Sequence, residues 1–170
     1  MIHAIAKSLL TALIIGVVCT TCTRQDDGDR IRSMIAKGAD AAEAHDIGAI
    51  LDLATADVRV MPMDLDRQGI KAVLWRSFNY YGPLKVLYPR PTVDLDDSTN
   101  TASTVFPFLI LKKEQPFPDL EALRGDPAAW LDAIGETADL YRLRLQLTKR
   151  DGDWLVDNAS LEQFHGMGFQ

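Results

Sequence analysis

The spacing of apolar residues changes along this chain, and each change predicts a different kind of structure. Residues 9–18 form a short, unbroken apolar run near the start. From about residue 29 to residue 82, apolar residues recur every three or four positions, which is typical of amphipathic helices. From residue 84 onward, apolar and polar residues tend to alternate, which is typical of β-strands. The order therefore predicts helices first and a sheet afterwards.

Three helices are predicted in the first part of the chain. Each follows an aspartate whose side chain can cap a first turn, namely Asp29, Asp46 and Asp66. Gly82 and Pro83 are expected to end the third helix. Residues 58–61 form a short strand between the second and third helices. The predicted buried stripes are Ile31, Ile35, Gly38, Ala42 and His45; Ile47, Ile50, Leu51 and Ala54; and Ile70, Val73, Leu74, Ser77 and Tyr81.

The alternation in the second part of the chain predicts an antiparallel meander. Short strands are expected at residues 84–88 and 92–95, and the prolines between them are typical of a sheet edge. Residues 140–149 alternate regularly, and the turn Asp151-Gly152 leads into a last strand at residues 154–161. The final two strands are therefore predicted to form a hairpin.

One strand has an unusual pattern, because residues 101–112 are apolar on both faces. Such a strand is expected at the centre of a sheet, with both faces covered. We expect its second face to be covered either by the insertion at residues 114–139 or by another copy of the chain. The insertion is rich in proline and acidic residues, so it is either a functional loop or a solvated connection.

Helices followed by a meander define the α+β class. We expect N-terminal helices packed on a curved antiparallel sheet that forms a cone with a pocket inside. The predicted domain spans residues 30–164, with a tether at residues 23–29 before it and a tail at residues 165–170 after it. A chain of this length can bury a core without a disulfide or a metal.

The start of the chain has the features of an export signal. A single cation, Lys7, precedes the apolar run, and both cysteines of the chain, Cys19 and Cys22, follow it. The run is shorter than the roughly 20 residues of a membrane-spanning helix. Residues 1–22 are therefore predicted to be a leader that directs the protein to the periplasmic side of the cell envelope. Three outcomes stay open: a lipoprotein anchored at one cysteine, a cleaved soluble form that is periplasmic or secreted, and an uncleaved anchor.

Charge and composition exclude several functions. The formal net charge of −6 argues against nucleic acid as a partner and against electrostatic docking of the domain on anionic lipid. No cysteine follows Cys22, so the domain has neither an internal disulfide nor a thiol nucleophile. No pair of histidines has metal-ligand spacing, and no glycine-rich phosphate loop is present. We therefore expect no metal and no cofactor.

The order of elements and several short motifs resemble the nuclear-transport-factor-2-like superfamily, including its polyketide-cyclase-like members. The resemblance covers about residues 30–164 and implies a cone-shaped α+β fold. It does not imply one activity, because the superfamily includes isomerases, dehydratases, cyclases, ligand-binding modules and non-catalytic domains. The motifs that carry it are Ala41-Ala42-Glu43-Ala44-His45-Asp46, Ala56-Asp57-Val58, Gln68-Gly69-Ile70 and Arg150-Asp151-Gly152-Asp153-Trp154-Leu155-Val156.

His45 is the candidate catalytic residue, since it lies on the apolar stripe of the first predicted helix. Its imidazole could act as a general base or orient a ligand, and the alternative is a helix-end histidine bonded to backbone. An enzyme would need a second polar group near it, which Tyr141 or Asn158 would supply if their side chains point inward. The remaining candidates could line an apolar pocket or serve as core: Trp75, Phe78, Tyr81 and Phe106.

The function expected from these features is a non-catalytic, lipid-anchored envelope domain that binds a small apolar molecule or a protein partner. One alternative is a small enzyme, an isomerase, dehydratase or hydrolase, with His45 as general base. Another is a structural envelope protein that forms a homodimer through its sheet. An apolar cavity would favour the first, a second polar group converging on His45 the second, and an exposed apolar patch on the sheet the third.

The leader gives a prediction of its own. We expect Cys19 or Cys22 to be the first residue of the mature protein and to carry lipid, because both cysteines lie at the end of the apolar run and none lies elsewhere. Mass spectrometry of the native protein measures this directly. An intact Met1, or an unmodified N-terminus beyond Cys22, would contradict it.

Overall fold

A computed structural model of the chain describes residues 26–96, 98–112 and 138–163. The predicted leader with Cys19 and Cys22, almost all of the predicted insertion and the predicted tail lie outside the described residues. Within them are three helices and six strands. In chain order these are α1 (Asp27–Glu43), α2 (Ile47–Asp52), β1 (Ala54–Met61), α3 (Arg67–Tyr81), β2 (Leu84–Leu87), β3 (Val93–Asp96), β4 (Thr101–Lys112), β5 (Ala138–Arg150) and β6 (Asp153–Gln163).

All six strands form one curved sheet, and the α+β prediction is confirmed. The strand order is β1-β6-β5-β4-β2, and β3 also pairs with β4. Strand β4 is therefore an internal strand, with β5 on one side and β2 and β3 on the other. The sheet is mixed, because β1 pairs with β6 in parallel while the other strand pairs are antiparallel, as expected. Alternation of polar and apolar residues specifies which face a side chain occupies, but it does not specify the partner strand or its direction.

The predicted N-terminal cap is correct for two of the three helices. Asp46 caps α2 through a bond from the Ala49 N–H at 2.9 Å, and Asp66 caps α3 through a bond from the Gly69 N–H at 2.8 Å. Asp29 is not a cap, because α1 begins at Asp27, inside the predicted tether. Acidic side chains in a first turn are favourable next to the partial positive charge of a helix N-terminus.

Helix α1 packs across the inner face of the sheet and forms the core with it. Ile31, Met34 and Ile35 are the buried side chains of α1 at this contact. Strands β4, β5 and β6 provide the opposite wall. The sheet side chains of the core are Ala102, Phe106, Leu145, Leu147, Trp154 and Ala159. Ile31 is fully buried, so the apolar stripe of α1 lies at the centre of this core.

The outer face of β4 is covered at one end and open at the other. Leu111 is only 7% exposed, whereas Val105 on the same face is 45% exposed and Pro107 is also exposed. Within the described residues of a single chain, this face is therefore open along the first half of the strand, and the expected cover by residues 114–139 falls almost wholly outside those residues. Cover by a second copy, which would make the sheet a homodimer surface, stays a prediction.

The N-terminus of α1 is bonded to the hairpin of β5 and β6 through Asp27. The Asp27 carboxylate accepts from Lys149 Nζ at 2.7 Å and from Trp154 Nε1 at 3.1 Å. The Arg30 guanidinium donates to the Gly152 carbonyl at 2.6 Å in the hairpin turn. The bond from Lys149, and then the bond from Trp154, hold the pKa of Asp27 below its ordinary value. These contacts fix one end of α1 on the sheet.

We expect Asp27→Asn to lower the free energy of unfolding by about 1 kcal/mol, because a charge-assisted bond at a partly exposed site is lost. Since folding lowers the pKa of Asp27, this stability is present above the unfolded pKa of about 3.9 and is lost as the pH falls through the folded pKa. Chemical denaturation at neutral and acidic pH measures both effects.

The matched control is Asp26→Asn, which makes the same change of charge one residue earlier, where the side chain makes no capping bond. Equal stability of the two variants at neutral pH would contradict the assigned role of Asp27.

Candidate functional site

The inner face of the sheet changes from apolar to polar toward one end of the cone. Cross-strand partners share a face, so the pairing of strands gives the rows. The row of Phe106, Leu143 and Leu161 is wholly apolar. The next row toward that end is Phe108, Tyr141 and Gln163, and Asp139 lies beyond Tyr141 on the same face. Polar side chains therefore collect where the cone faces the end of α3.

Tyr81, the last residue of α3, connects this helix to the polar end of the sheet. Its hydroxyl lies 2.5 Å from Asp139 Oδ2 and 2.8 Å from the hydroxyl of Tyr141. Gln163 Nε2 donates to the other Asp139 oxygen at 3.2 Å. The ring of Phe108 stacks on Tyr141, with 5.3 Å between the ring centroids. We call Tyr81, Asp139 and Tyr141 the tyrosine–aspartate cluster.

Each hydrogen bond of this cluster has a defined donor and acceptor. An ionised carboxylate only accepts hydrogen bonds, so the Tyr81 hydroxyl donates to Asp139. Tyr141 therefore donates to the Tyr81 oxygen, and the lone pairs of the Tyr141 oxygen are left to accept from another group. Burial, and then the bond to Asp139, raise the pKa of Tyr81, and burial raises the pKa of Tyr141. Both phenols are consequently neutral donors at physiological pH.

His45 lies beyond the end of α1, not within it as the stripe predicts. The His45 N–H bonds to the Ala42 carbonyl at 3.1 Å, and the Asp46 N–H bonds to the Ala41 carbonyl at 2.8 Å. This pair of bonds is the Schellman motif, in which the residue at the position of His45 is usually glycine. The φ angle of His45 is 57°, a left-handed conformation that costs a residue with a Cβ about 1–2 kcal/mol.

The His45 ring also lacks a hydrogen-bond partner on one side. It stacks on Phe78 with 4.6 Å between centroids and 11° between planes. Its Nε2 atom is buried and makes no hydrogen bond with any residue in the described part of the chain. Leaving a buried polar atom unsatisfied costs about 1–3 kcal/mol. Two unfavourable features therefore coincide at His45, and a ligand that bonds to Nε2 would account for the second.

Helix α3 places His45 and the tyrosine–aspartate cluster on one surface. Phe78 and Tyr81 are three residues apart, so they lie on the same face of α3 about one helical turn apart. His45 stacks on Phe78, and the cluster is bonded to Tyr81. The arrangement presents an imidazole nitrogen, a phenol oxygen and aromatic rings in sequence along this face.

Four of the predicted site residues meet here, and three do not. His45, Phe78, Tyr81 and Tyr141 are the four. Phe106 is buried in the core, with its ring centroid 5.7 Å from that of Tyr88. Trp75 is 65% exposed and points from α3 toward solvent. Asn158 pairs with Arg59 and Gln146 on the outer face of the sheet, because its neighbour Ala159 faces the core.

Two residues of the site were not predicted from the sequence. Asp139 was assigned to the insertion and Gln163 lies just past the predicted last strand, whereas the structure includes both in β5 and β6. The alternation that runs through Leu143 and Tyr141 continues to Asp139, and this is the signal that could have identified it.

Among the residues that the structure describes, no three histidine, cysteine, aspartate or glutamate side chains come close enough to hold a metal ion. No helix within those residues combines the length and the apolar character that crossing a membrane requires.

Comparisons with known proteins identify the fold. No protein-family model matches the chain, and no curated protein sequence is similar to it. Solved structures do match. A protein of unknown function with a cystatin-like fold from Nostoc punctiforme superposes with a TM-score of 0.60 at 8% identity, covering 83% of this chain and 93% of that protein.

Two structures from Novosphingobium aromaticivorans are similar to the same extent. A nuclear-transport-factor-2-like protein with a cystatin-like fold has a TM-score of 0.59 at 15% identity, covering 90% of this chain and 95% of its own. A proposed scytalone dehydratase has a TM-score of 0.59 at 13% identity, covering 84% and 87%. At these identities the likeness shows the fold alone. The chain therefore has the cystatin-like, nuclear-transport-factor-2-like cone fold that the resemblance implies.

The tyrosine–aspartate cluster makes a testable prediction about ionisation. In the folded protein, Tyr81→Phe should leave the phenolate absorbance unchanged up to about one unit above the ordinary tyrosine pKa of about 10, because Tyr81 does not ionise in that range. Burial, and then the bond to Asp139, raise the pKa of Tyr81 on folding, so its neutral phenol adds stability that is present below the unfolded pKa and is lost as pH rises through the folded pKa.

The control is the same titration in denaturant, where Tyr81→Phe should remove the signal of one phenol. A lower phenolate signal for the folded variant in this range would show that Tyr81 ionises normally, which would contradict the assigned cluster.

Proposed function

We propose that the domain binds a small, mostly apolar molecule that carries at least one hydroxyl or carbonyl group, at the end of the cone formed by α3 and the polar edge of the sheet. The buried, partnerless Nε2 of His45 carries this proposal. A ligand hydroxyl group would satisfy that nitrogen, and the protein would recover the cost of burying it.

The surroundings of His45 suit such a molecule. The rings of Phe78 and Phe108 offer apolar surface on the two sides of Tyr81 and Tyr141. The Tyr141 oxygen can accept a hydrogen bond from a ligand hydroxyl, because its own proton is directed to Tyr81. A mostly apolar wall with a few convergent polar groups is the usual composition of a small-molecule site.

We also propose that the domain works on the periplasmic side of the cell envelope and is held at the membrane through Cys19 or Cys22. The apolar run at residues 9–18, with one cation before it and both cysteines after it, supports this proposal. The short polar segment after Cys22 would act as the tether between the lipid and α1.

A second candidate function is catalysis, and the tyrosine–aspartate cluster favours it. His45 would take a proton from the carbon next to a substrate carbonyl group, and the Tyr141 oxygen would hold a substrate hydroxyl group by accepting its hydrogen bond. In a β-hydroxyketone, the hydroxyl group would leave as water when His45 returns that proton to it, and the electron pair of the broken carbon–hydrogen bond would form the new carbon–carbon double bond. One of the structural neighbours is the proposed scytalone dehydratase.

We expect His45→Gly to abolish ligand binding with little change in stability. Glycine relieves the left-handed backbone, and this gain of about 1–2 kcal/mol offsets the loss of the stacked ring. The free energy of unfolding should therefore stay within about 1 kcal/mol of the parent value. Saturation-transfer NMR with a panel of naphthols and tetralones measures binding, and chemical denaturation measures stability.

Trp75→Ala is the matched control, because it removes a mostly exposed aromatic ring of α3 and should leave binding unchanged. Destabilisation of His45→Gly by more than about 2 kcal/mol, with no compound bound by the parent, would return His45 to a structural role. Slow conversion of a bound hydroxyketone by the parent, lost in His45→Gly and Tyr141→Phe, would favour the enzyme.

A further inference from the structure

A cavity lies on the outer face of the sheet, at the end opposite to the candidate ligand site. Its volume is about 470 Å³, within the range of about 300–1,000 Å³ that is usual for small-molecule sites. Two cross-strand rows of β3, β4 and β5 line it, and they face outward because Ala102 and Leu147 between them face the core. The rows are Asp94, Ser103 and Gln146, and Asp96, Thr101 and Thr148. We call the cavity that these rows line, together with Arg150 and Asp157, the outer trough.

Asp157 forms the wall opposite to β3, and a β-bulge places it there. Gln146 pairs with Asn158 and Leu147 pairs with Val156, so Asp157 is the extra residue of β6 between them. An extra residue interrupts the regular alternation and re-aims its side chain, and bulges are common beside active sites for this reason. The bulge therefore brings a carboxylate to the outer trough.

A buried hydroxyl group and a cation hold the Asp157 carboxylate. Thr55 is only 2% exposed, and its hydroxyl donates to Asp157 Oδ1 at 3.3 Å. The Arg150 guanidinium lies 3.7 Å from the same oxygen. Asp157 Oδ2 makes no bond within the described part of the chain, so it is left to accept one from a ligand. This wall is therefore positioned before a ligand arrives, which lowers the entropy cost of binding.

The floor and the β3 wall present polar groups that are not used inside the protein. The side chains of Asp94, Ser103, Gln146 and Thr148 make no hydrogen bond or ion pair with other described residues. A hydroxyl group and a carboxamide each donate and accept, whereas a carboxylate only accepts and a guanidinium group only donates. The outer trough therefore offers all of these kinds of hydrogen-bonding group side by side.

We propose that the outer trough binds a neutral saccharide. A sugar hydroxyl group both donates and accepts, so it can bond to a carboxylate, a hydroxyl, a carboxamide or a guanidinium group. Hydroxyl groups around a sugar ring would meet successive side chains of the floor, which lie on strands about 4.8 Å apart. An apolar ligand would leave these groups without partners, which is unfavourable.

The charges of the lining favour a neutral sugar over a charged ligand. Among the described residues of the lining, Asp94, Asp96 and Asp157 carry carboxylates and Arg150 carries a guanidinium group. A uronic acid or a phosphorylated sugar would therefore meet a net charge of its own sign. A polyamine would pair with the carboxylates, but its ammonium groups only donate hydrogen bonds and would lie close to Arg150. A neutral saccharide avoids both conflicts.

The outer trough is separate from the candidate ligand site. Phe108 and Tyr141 of that site lie on the inner face, toward the end of β4 and the start of β5. Ser103 and Gln146 lie on the outer face, toward the start of β4 and the end of β5. Saccharide binding would therefore not depend on His45, and the domain could hold two ligands at the same time.

Saturation-transfer NMR of the full chain with maltose, cellobiose and diacetylchitobiose tests this proposal. We expect the parent to bind at least one of these neutral disaccharides. Ser103→Phe should abolish that binding, because a phenyl ring would fill the floor at an exposed strand position that tolerates an aromatic residue. Asp157→Asn should weaken it about tenfold, because a charge-assisted hydrogen bond becomes a neutral one while Thr55 keeps an acceptor.

Val105→Phe is the matched control for the floor, since it adds the same ring on the same face of β4 but outside the lining of the cavity. Asp40→Asn is the control for charge, because it removes a carboxylate at an exposed position on α1. Both controls, and His45→Gly, should bind the saccharide like the parent. Thermal melts confirm that each variant is folded, and Asp157→Asn decides alone if Ser103→Phe does not fold.

The proposal is overturned if the parent binds none of the three disaccharides, or if it binds only spermidine, which is added as a charged probe. It is also overturned if a folded Ser103→Phe or Asp157→Asn binds like the parent, or if Val105→Phe loses the binding equally. Loss of saccharide binding in His45→Gly would place the sugar in the candidate ligand site and would likewise overturn the proposal.

Discussion

The contact between α1 and the inner face of the sheet determines the position of every other element in the described structure. Ile31 and the side chains beside it fill the core, and Asp27 bonds the start of the helix to the β5–β6 hairpin through Lys149 and Trp154. Apolar burial supplies most of the stabilisation, since removing such side chains from water is favourable in proportion to their area. The polar bonds at Asp27 set the orientation of α1, because they fix the start of the helix over one end of the sheet. The far end of α1, and the residue that follows it, are then fixed as well.

His45 shows how this constraint produces a candidate site. The chain must reverse direction after α1 to enter α2, and the Schellman motif makes the turn with a left-handed residue. Glycine would adopt that conformation without strain, yet the chain has histidine there, and its ring rests on Phe78 with Nε2 unsatisfied. Backbone strain and a lost hydrogen bond at one residue are unfavourable for stability. The proposed role in binding would explain why both are found at a residue that faces the tyrosine-bearing side of α3.

Helix α3 has different surroundings on its two sides. Its inner face is half-buried against the cone and ends in the bonds of Tyr81 to Asp139 and Tyr141. Trp75 and Tyr80 are exposed to solvent. The candidate site therefore depends on the residues of α3 that contact the rest of the fold, and not on its exposed aromatic rings.

The sequence by itself determined the local structure. Caps at Asp46 and Asp66 and the turn at Asp151-Gly152 depend on hydrogen bonds and backbone angles within a few residues, and the helix stripes and strand alternation depend on periods of 3.6 and 2. The family resemblance, which depends on the order of such elements, correctly implied the cone fold. Only the tertiary structure decided that Tyr81 meets Asp139, 58 residues away, that β1 runs parallel to β6, and that Trp75 faces outward while Phe78 faces His45. These outcomes depend on how the sheet curves and on where α1 is fixed to it, and no short window of sequence contains that information.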